Sequence, residues 1–185
     1  MTVNYSEGGT SNNGRIIQIV QNRDTARRKW TDLASSTWAN TYSNIDTTIT
    51  PKLASSKLMF FINLNYGIGD DGGAASVFWQ VRTGTSTVDV DLNGATSSGY
   101  QCFYQRRWSD STDQMQYYMD QANMTGLTID ASNTSARTYK LYVRIQDSGH
   151  DLTINRDGSD NSDSSFGVHS PVACSAFTIL EYSDV

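Results

Sequence analysis

Short alternations of apolar and polar residues recur along the chain, and this pattern predicts β-strands. The strongest alternation is KLMFFINLNY, residues 57–66, whose every second position carries an apolar side chain: Leu58, Phe60, Ile62, Leu64 and Tyr66. Met59 and Phe61 occupy positions between them, so both faces of this strand carry apolar side chains. We therefore expect the strand to be covered on both sides, with Met59 and Phe61 covered by the second sheet or by a neighbouring subunit.

Nine more segments read as strands by the same criterion. They are RIIQIVQ (15–21), NIDTTIT (44–50), ASVFWQVRT (75–83), TVDVDL (87–92), QMQYYMD (114–120), TGLTID (125–130), RTYKLYVRIQD (137–147), DLTINRD (151–157) and CSAFTILEYSDV (174–185). One segment, residues 22–42, has weakly helical spacing, and it predicts either a helix or an irregular crossing.

About ten short strands separated by Gly-, Asp- and Ser-rich turns indicate an all-β protein, and we expect an antiparallel β-sandwich of jelly-roll type. Residues 1–14 are rich in Gly, Ser and Asn and predict a flexible arm that cannot form a core alone. Residues 15–185 are then a single domain, a size that suits one hydrophobic core.

Composition narrows the classes of function. The net charge of −5 argues against nucleic acid as a partner, since phosphate binding needs a basic surface. No apolar run reaches the ~20 residues of a membrane span, and the polar N-terminus lacks the apolar region of a signal peptide. We expect a soluble protein made in a cytoplasm, with Cys102 and Cys174 as free thiols.

Catalytic and metal-binding patterns are weak. His150 and His169 lie in polar loop sequence without a nucleophile motif, and we expect them on the surface. Scattered carboxylates leave a glycosidase as an open alternative, because sequence does not fix their separation. DVDLNG at 89–94 and RDGSDNSDSSFG at 156–167 resemble parts of calcium loops but lack a complete ligand set. We predict no catalytic residues, no metal and no cofactor.

Two basic–aromatic segments and one aromatic band are candidates for binding. Arg side chains beside aromatic rings are common at subunit interfaces, although phosphate contacts are an alternative. The interface candidates are Arg27, Arg28, Trp30, Arg106 and Arg107. Aromatic rings among short polar side chains also suit sugar binding, and the glycan-binding candidates are Tyr100, Tyr104, Trp108 and Tyr117.

The order of several motifs resembles a family of phage virion proteins. The closest pieces are ITP…SSK before an alternating strand (49–57), TYKLYVRI before TINR (138–156) and a last strand ending near Glu181. Together they look like the β-rich C-terminal domains of tail fibres and small structural proteins of marine and cyanobacterial phages. The resemblance covers most of the chain from Gly14 onward and implies a β-sandwich that assembles as a trimer on a phage particle, with no catalytic residues to carry over.

From the resemblance we expect a non-enzymatic virion protein, made in the host cytoplasm, that forms an oligomeric appendage such as a fibre head or a capsid decoration. The sequence has no repeat-rich shaft before the domain, which favours a small appendage over a long fibre. The expected partners are further copies of the chain and other capsid or tail proteins. Val3 and Tyr5, the only sizeable apolar residues of the arm, are the candidates for virion attachment. A lectin-like module that binds host surface glycans is the alternative.

Overall fold

The fold is described by a computed structural model that covers residues 14–31, 38–39, 43–69, 73–83, 87–88, 104–110, 119–145, 149–156 and 173–183. For residues 43, 73–75, 87–88 and 104–110 it describes the backbone alone. The described chain forms eleven β-strands: β1 (Arg15–Asp24), β2 (Arg28–Trp30), β3 (Thr47–Ile49), β4 (Lys57–Gly69), β5 (Gly73–Thr83), β6 (Thr87–Val88), β7 (Tyr104–Asp110), β8 (Asp120–Asp130), β9 (Arg137–Ile145), β10 (Asp151–Ile154) and β11 (Ser175–Ser183). A short 3₁₀ helix, Ser43–Ile45, precedes β3.

Sheet A is built around the long strand β4. One edge of β4 pairs first with β11 and then with β10, and the other edge pairs with β8. On the far side, β1 pairs with β11 and β2 pairs with β10. The sheet therefore has four columns in the order β1/β2, β11/β10, β4 and β8, and all of its pairings are antiparallel.

Sheet B has the same plan around β5. One edge of β5 pairs with β9, which in turn pairs with β3 and bridges to Ala39. The other edge pairs with β7 along one part and with β6 along the next. With the short extensions β2, β6 and β10 set aside, eight strands remain. We number these eight strands by their order along the chain. The neighbouring strands of sheet A are then the first, eighth, third and sixth, which are β1, β11, β4 and β8. Those of sheet B are the second, seventh, fourth and fifth, which are β3, β9, β5 and β7.

The two sheets pack against each other over one hydrophobic core. The alternating residues of β4 supply its centre, and Leu58, Phe60, Leu64 and Tyr66 are all fully buried. Each such side chain contributes about 1.5–3 kcal/mol to the stability of the fold. Aromatic rings join the sheets edge to face: Phe60 meets Tyr139 at 4.9 Å between ring centroids, and Tyr66 meets Trp79 at 5.4 Å.

A buried asparagine connects the ends of three strands inside sheet A. Asn155 directly follows β10, has a left-handed backbone with φ 60°, and lies at the point along β4 where its partner changes from β10 to β11. Its Nδ2 donates to the carbonyl oxygens of Asp24 and Ala26, at 2.8 and 3.1 Å. Its Oδ1 accepts from the Ser175 hydroxyl at 2.8 Å. This one amide therefore joins the end of β1, the start of β11 and the end of β10.

The all-β class predicted from the sequence is confirmed, with no α-helix among the described residues. The helix considered for residues 22–42 is wrong for its first half, because Asn22–Asp24 continue β1 and Arg28–Trp30 form β2. Pairing with β11 and β10 outweighs the weak helical spacing there. Residues 32–37 lie outside the described chain. The strand β7 is an addition to the prediction, which read its residues as a basic–aromatic segment.

Candidate functional site

The outward face of sheet A carries a row of apolar side chains. Directly paired residues of antiparallel strands share a face, and Ile19 pairs with Leu180, which pairs with Met59. We use the name apolar face for this row and its neighbours: Ile16, Ile19, Met59, Phe61, Leu180 and Tyr182. Of its members, Ile16 is 42% exposed, Ile19 49% and Phe61 36%. The expectation that both faces of β4 are covered therefore holds for the inner face, and no described segment covers the outer one.

Beside the apolar face, four side-chain amides form a closed ring of hydrogen bonds. Asn63 donates to Asn123 at 2.8 Å, and Asn123 donates to Gln121 at 2.8 Å. Gln121 donates to Asn65 at 3.3 Å, and Asn65 donates back to Asn63 at 3.1 Å. Each amide thus uses one donor and one acceptor inside the ring. The ring fixes β8 against β4 on the solvent side.

Two motifs that carry the resemblance meet in space. Glu181 on β11 is fully buried, and its carboxylate lies in the turn formed by ITP…SSK. It accepts hydrogen bonds from Lys52 N at 2.8 Å, Leu53 N at 3.1 Å and Ser56 Oγ at 2.5 Å, and also from Gln18 Nε2 at 2.6 Å. The carboxylate is saturated by donors and is a structural group.

The hydrogen bonds decide the ionisation of Glu181. Burial alone raises the pKa of this carboxyl, since it disfavours the charged form. The donors from Ser56, Lys52, Leu53 and Gln18 act in the opposite direction. Their combined effect is larger, so the pKa of Glu181 lies below its usual value and the group is charged at neutral pH.

The outward face of sheet B has a different character, with cations stacked on aromatic rings. The guanidinium of Arg82 lies 4.2 Å from the ring centroid of Tyr142 and 5.9 Å from that of Trp38. Arg144 lies 5.9 Å from the ring centroid of Phe78. Tyr142 is 8% exposed and Phe78 5%, so this face is largely covered, whereas Arg82 and Trp38 retain partial exposure.

The predicted interface residues lie in different settings, some engaged within the chain and one exposed. Arg28 pairs with Asp24 at 2.9 Å, and Trp30 packs against the core, so both are engaged within the chain. Arg27 is exposed in the link between β1 and β2. Arg106 and Arg107 lie in β7, where they pair with Val77 and Ser76 of β5. Their role at an interface stays a prediction.

The predicted glycan-binding residues are described only in part. Tyr104 and Trp108 lie in β7 and pair with Trp79 and Ala75 of β5. Their strand is therefore next to β5 in sheet B. Tyr100 and Tyr117, as well as Val3 and Tyr5 of the arm, lie outside the described residues.

The histidine at position 150 is not on the surface, contrary to expectation. His150 is 7% exposed, because the strand β10 that follows it pairs with both β4 and β2. His169 lies outside the described residues, as do the acidic loops compared with calcium sites, apart from Arg156. In the part of the chain that the structure describes, no three His, Cys, Asp or Glu residues are grouped as a metal site requires. That part also contains no helix long and apolar enough to cross a membrane.

Sequence reasoning missed the amide ring and the stacking of Arg82 on Tyr142 and Trp38 for the same reason. Alternation places Asn63 and Phe61 on one face of a strand, and Lys140 and Tyr142 on one face of another. It does not say which strands are neighbours. Asn63 meets Asn123, and Arg82 meets Tyr142, through pairings between strands that are distant in sequence.

The chain was also compared with known proteins. No protein-family model matches it, and comparison with curated proteins gives no match.

Proposed function

We propose that the protein is a non-enzymatic structural protein of a phage particle, a trimeric surface appendage such as a fibre head or a capsid decoration. The apolar face of sheet A is the observation that carries this proposal. It offers a place for a second copy of the chain, and the resemblance of the motif order to virion proteins suggests the setting.

The strand order supports a jelly roll for this role. In a jelly roll, eight strands form two four-stranded sheets through two Greek keys, and the first and last strands are neighbours. The order first–eighth–third–sixth against second–seventh–fourth–fifth supports the proposal of this topology. Jelly rolls occur both in viral capsid proteins and in lectins, so the fold is compatible with the leading proposal and with its alternative.

The chemistry of the apolar face favours another copy as its partner. Its two central rows, Ile19–Leu180–Met59 and Gln21–Thr178–Phe61, contain no charged residue. The chain as a whole carries a net charge of −5, so two copies repel each other over most of their surfaces. Contact through these uncharged rows avoids the repulsion and removes exposed apolar area from water.

The oligomer is tested by replacing Ile19 with Asn. Ile19 lies on the outward face of an edge column, so we expect Ile19→Asn to fold normally and to lower the mass in solution from three chains of 20.5 kDa to one. Light scattering coupled to size exclusion gives the mass. The matched control is Leu53→Asn, which changes a side chain of similar exposure, 47%, in the turn after β3, and should leave the trimer intact. A wild-type monomer at high concentration would contradict the proposal.

A lectin-like, host-glycan-binding role is the second candidate. It is favoured by the outward face of sheet B, where Arg82 stacks on Tyr142 and lies near Trp38. If sheet A forms the contact between copies, Arg82 and Trp38, which keep partial exposure on sheet B, remain accessible to a glycan. A glycan array with the purified oligomer tests this role, and an absence of binding to host polysaccharides would leave the structural role alone.

A further inference from the structure

Two cations of sheet B, Arg82 and Lys140, form no ion pair with a described residue. Their strands, β5 and β9, contain no Asp or Glu. The ion pairs between described residues, Asp24–Arg28 and Lys29–Asp151, both lie in the other sheet or its margin. The chain as a whole carries a net charge of −5, so the positive charge of these two strands differs in sign from that of the whole protein.

Arg82 and Lys140 are directly opposite each other in the pairing of β5 with β9, and they share the outward face. Like charges at directly opposite positions destabilise a sheet. An anion placed between the two side chains would relieve their repulsion.

The guanidinium of Arg82 is held in a fixed orientation. Its Nε donates to Gln80 Oε1 at 2.8 Å, and Gln80 is only 2% exposed. One of its faces stacks on Tyr142 at 4.2 Å. The two terminal nitrogens, Nη1 and Nη2, have no hydrogen-bond partner among the described residues. They form the end of the guanidinium fork that matches the two oxygens of a carboxylate.

Burial adds a reason for a bound anion. Desolvation lowers the pKa of Arg82, and the Tyr142 hydroxyl acts in the opposite direction. An arginine stays protonated in a protein, so the charge persists at a partly desolvated position. An anionic ligand supplies the compensation that the described part of the fold does not.

We propose that the Arg82 cluster, formed by Trp38, Gln80, Arg82, Lys140 and Tyr142, binds the carboxylate of a uronic-acid sugar in an acidic polysaccharide. The carboxylate accepts two hydrogen bonds from the Nη atoms of Arg82 and is also attracted by Lys140. The indole of Trp38, 5.9 Å from the guanidinium, supplies an apolar surface for the C–H groups of the pyranose ring. The inference rests on the second candidate function and specifies its ligand class.

The test uses the intact oligomer and three probes: trigalacturonate, the neutral sugar methyl galactoside, and inorganic phosphate. Isothermal titration gives the affinities, and the fluorescence of Trp38 gives a second readout. We expect trigalacturonate to bind more tightly than either other probe. The variant Arg82→Gln should raise its dissociation constant by about tenfold or more, because a charge-assisted pair of hydrogen bonds is lost. The matched control Arg23→Gln removes one exposed arginine from the opposite sheet and should change the constant by less than about twofold.

Trp38→Phe should abolish the fluorescence change that trigalacturonate causes, while thermal melting shows whether each variant keeps the fold. The proposal is overturned if trigalacturonate does not bind, or if Arg82→Gln and Arg23→Gln weaken binding equally. Equal binding of phosphate and trigalacturonate would overturn the assignment to a sugar. If the protein is an oligomer but binds no trigalacturonate, this inference alone is refuted. If the protein is a monomer and binds trigalacturonate, the trimer is refuted and the glycan site remains.

Discussion

At the scale of the residue, Glu181 shows how a buried charge can serve a structural purpose. Its carboxylate is removed from water, yet two backbone amides, one hydroxyl and one side-chain amide donate to it. These donors come from β1 and from the turn at residues 50–56, so both segments contact β11 through this carboxylate. The charge is therefore the point where the last described strand holds both segments in position.

Replacing Glu181 with Gln tests this role. The variant keeps the size of the side chain but turns an NH2 group toward backbone donors, so we expect a loss of about 2–4 kcal/mol in the free energy of unfolding. Urea unfolding at pH 7 measures it. A loss no greater than that of a surface substitution would show that the four donors contribute little.

The same variant predicts a pH dependence. Because the pKa of Glu181 is lower in the folded state than in the unfolded state, its contribution is fully present above the unfolded-state pKa. It is lost as the pH falls through the folded-state pKa. The difference in stability between the wild type and Glu181→Gln should therefore shrink on acidification, and an unchanged difference down to strongly acidic pH would contradict the assignment.

At the scale of the element, most strands follow from alternation and one does not. In β9, Tyr139, Leu141, Val143 and Ile145 are inward and buried as the pattern predicts. In β8 the inward residues are Ala122 and Met124 before Gly126, and Leu127 and Ile129 after it. Gly126 has φ 74° and forms a bulge, which shifts the alternation by one residue. That shift explains why the sequence predicts only the second half of β8, TGLTID. Of the other predicted segment, QMQYYMD, residues 114–118 lie outside the described chain.

The sequence does not predict which strands are neighbours in a sheet, and the reason is physical. Alternation tells which side chains share a face of their own strand, and the all-β class and the core of β4 follow from it. It carries no information on the order of strands in a sheet, so neither the Glu181 contacts nor the Arg82 cluster was accessible. The connection made by Asn155 is hidden for the same reason, since its partners Asp24, Ala26 and Ser175 lie far from it in sequence.

Asn155 offers a paired test of backbone and side-chain contributions. Asn155→Gly keeps the left-handed backbone available but removes the amide, and we expect a loss of about 3 kcal/mol in unfolding free energy. Asn155→Ala should lose about 1 kcal/mol more, because φ 60° is unfavourable for a residue with a Cβ. The control is Ser132→Gly at an exposed position with φ 61°, which should be neutral or stabilising. Equal stabilities of the Gly and Ala variants at position 155 would contradict the backbone argument.

At the scale of the whole molecule, the two sheets differ in the character of their outer faces. The outer face of sheet A has uncharged apolar rows and an amide ring, and that of sheet B has arginines stacked on aromatic rings. This difference is the basis for assigning one face to contacts between copies and the other to a ligand. The same proposal assigns attachment to the particle to the arm, residues 1–14.

The attachment role proposed for the arm is tested by deleting residues 1–13. The arm contains too little apolar area to fold alone, so the domain should remain folded and trimeric without it. We expect the shortened protein to be absent from assembled particles, as measured by its copy number per particle. Incorporation at the normal level would refute the attachment role and leave Val3 and Tyr5 without a function.

The central position of β11 in sheet A has a consequence for biosynthesis. β1 and β4 are not adjacent to each other in the sheet, since β11 lies between them and supplies the hydrogen bonds of both. While a ribosome is still making the chain, the facing edges of β1 and β4 therefore have no native partner until β11 emerges. Unpaired edges readily join those of other nascent chains, so premature termination before β11 should yield aggregates, and folding of the complete chain should be slow for its size.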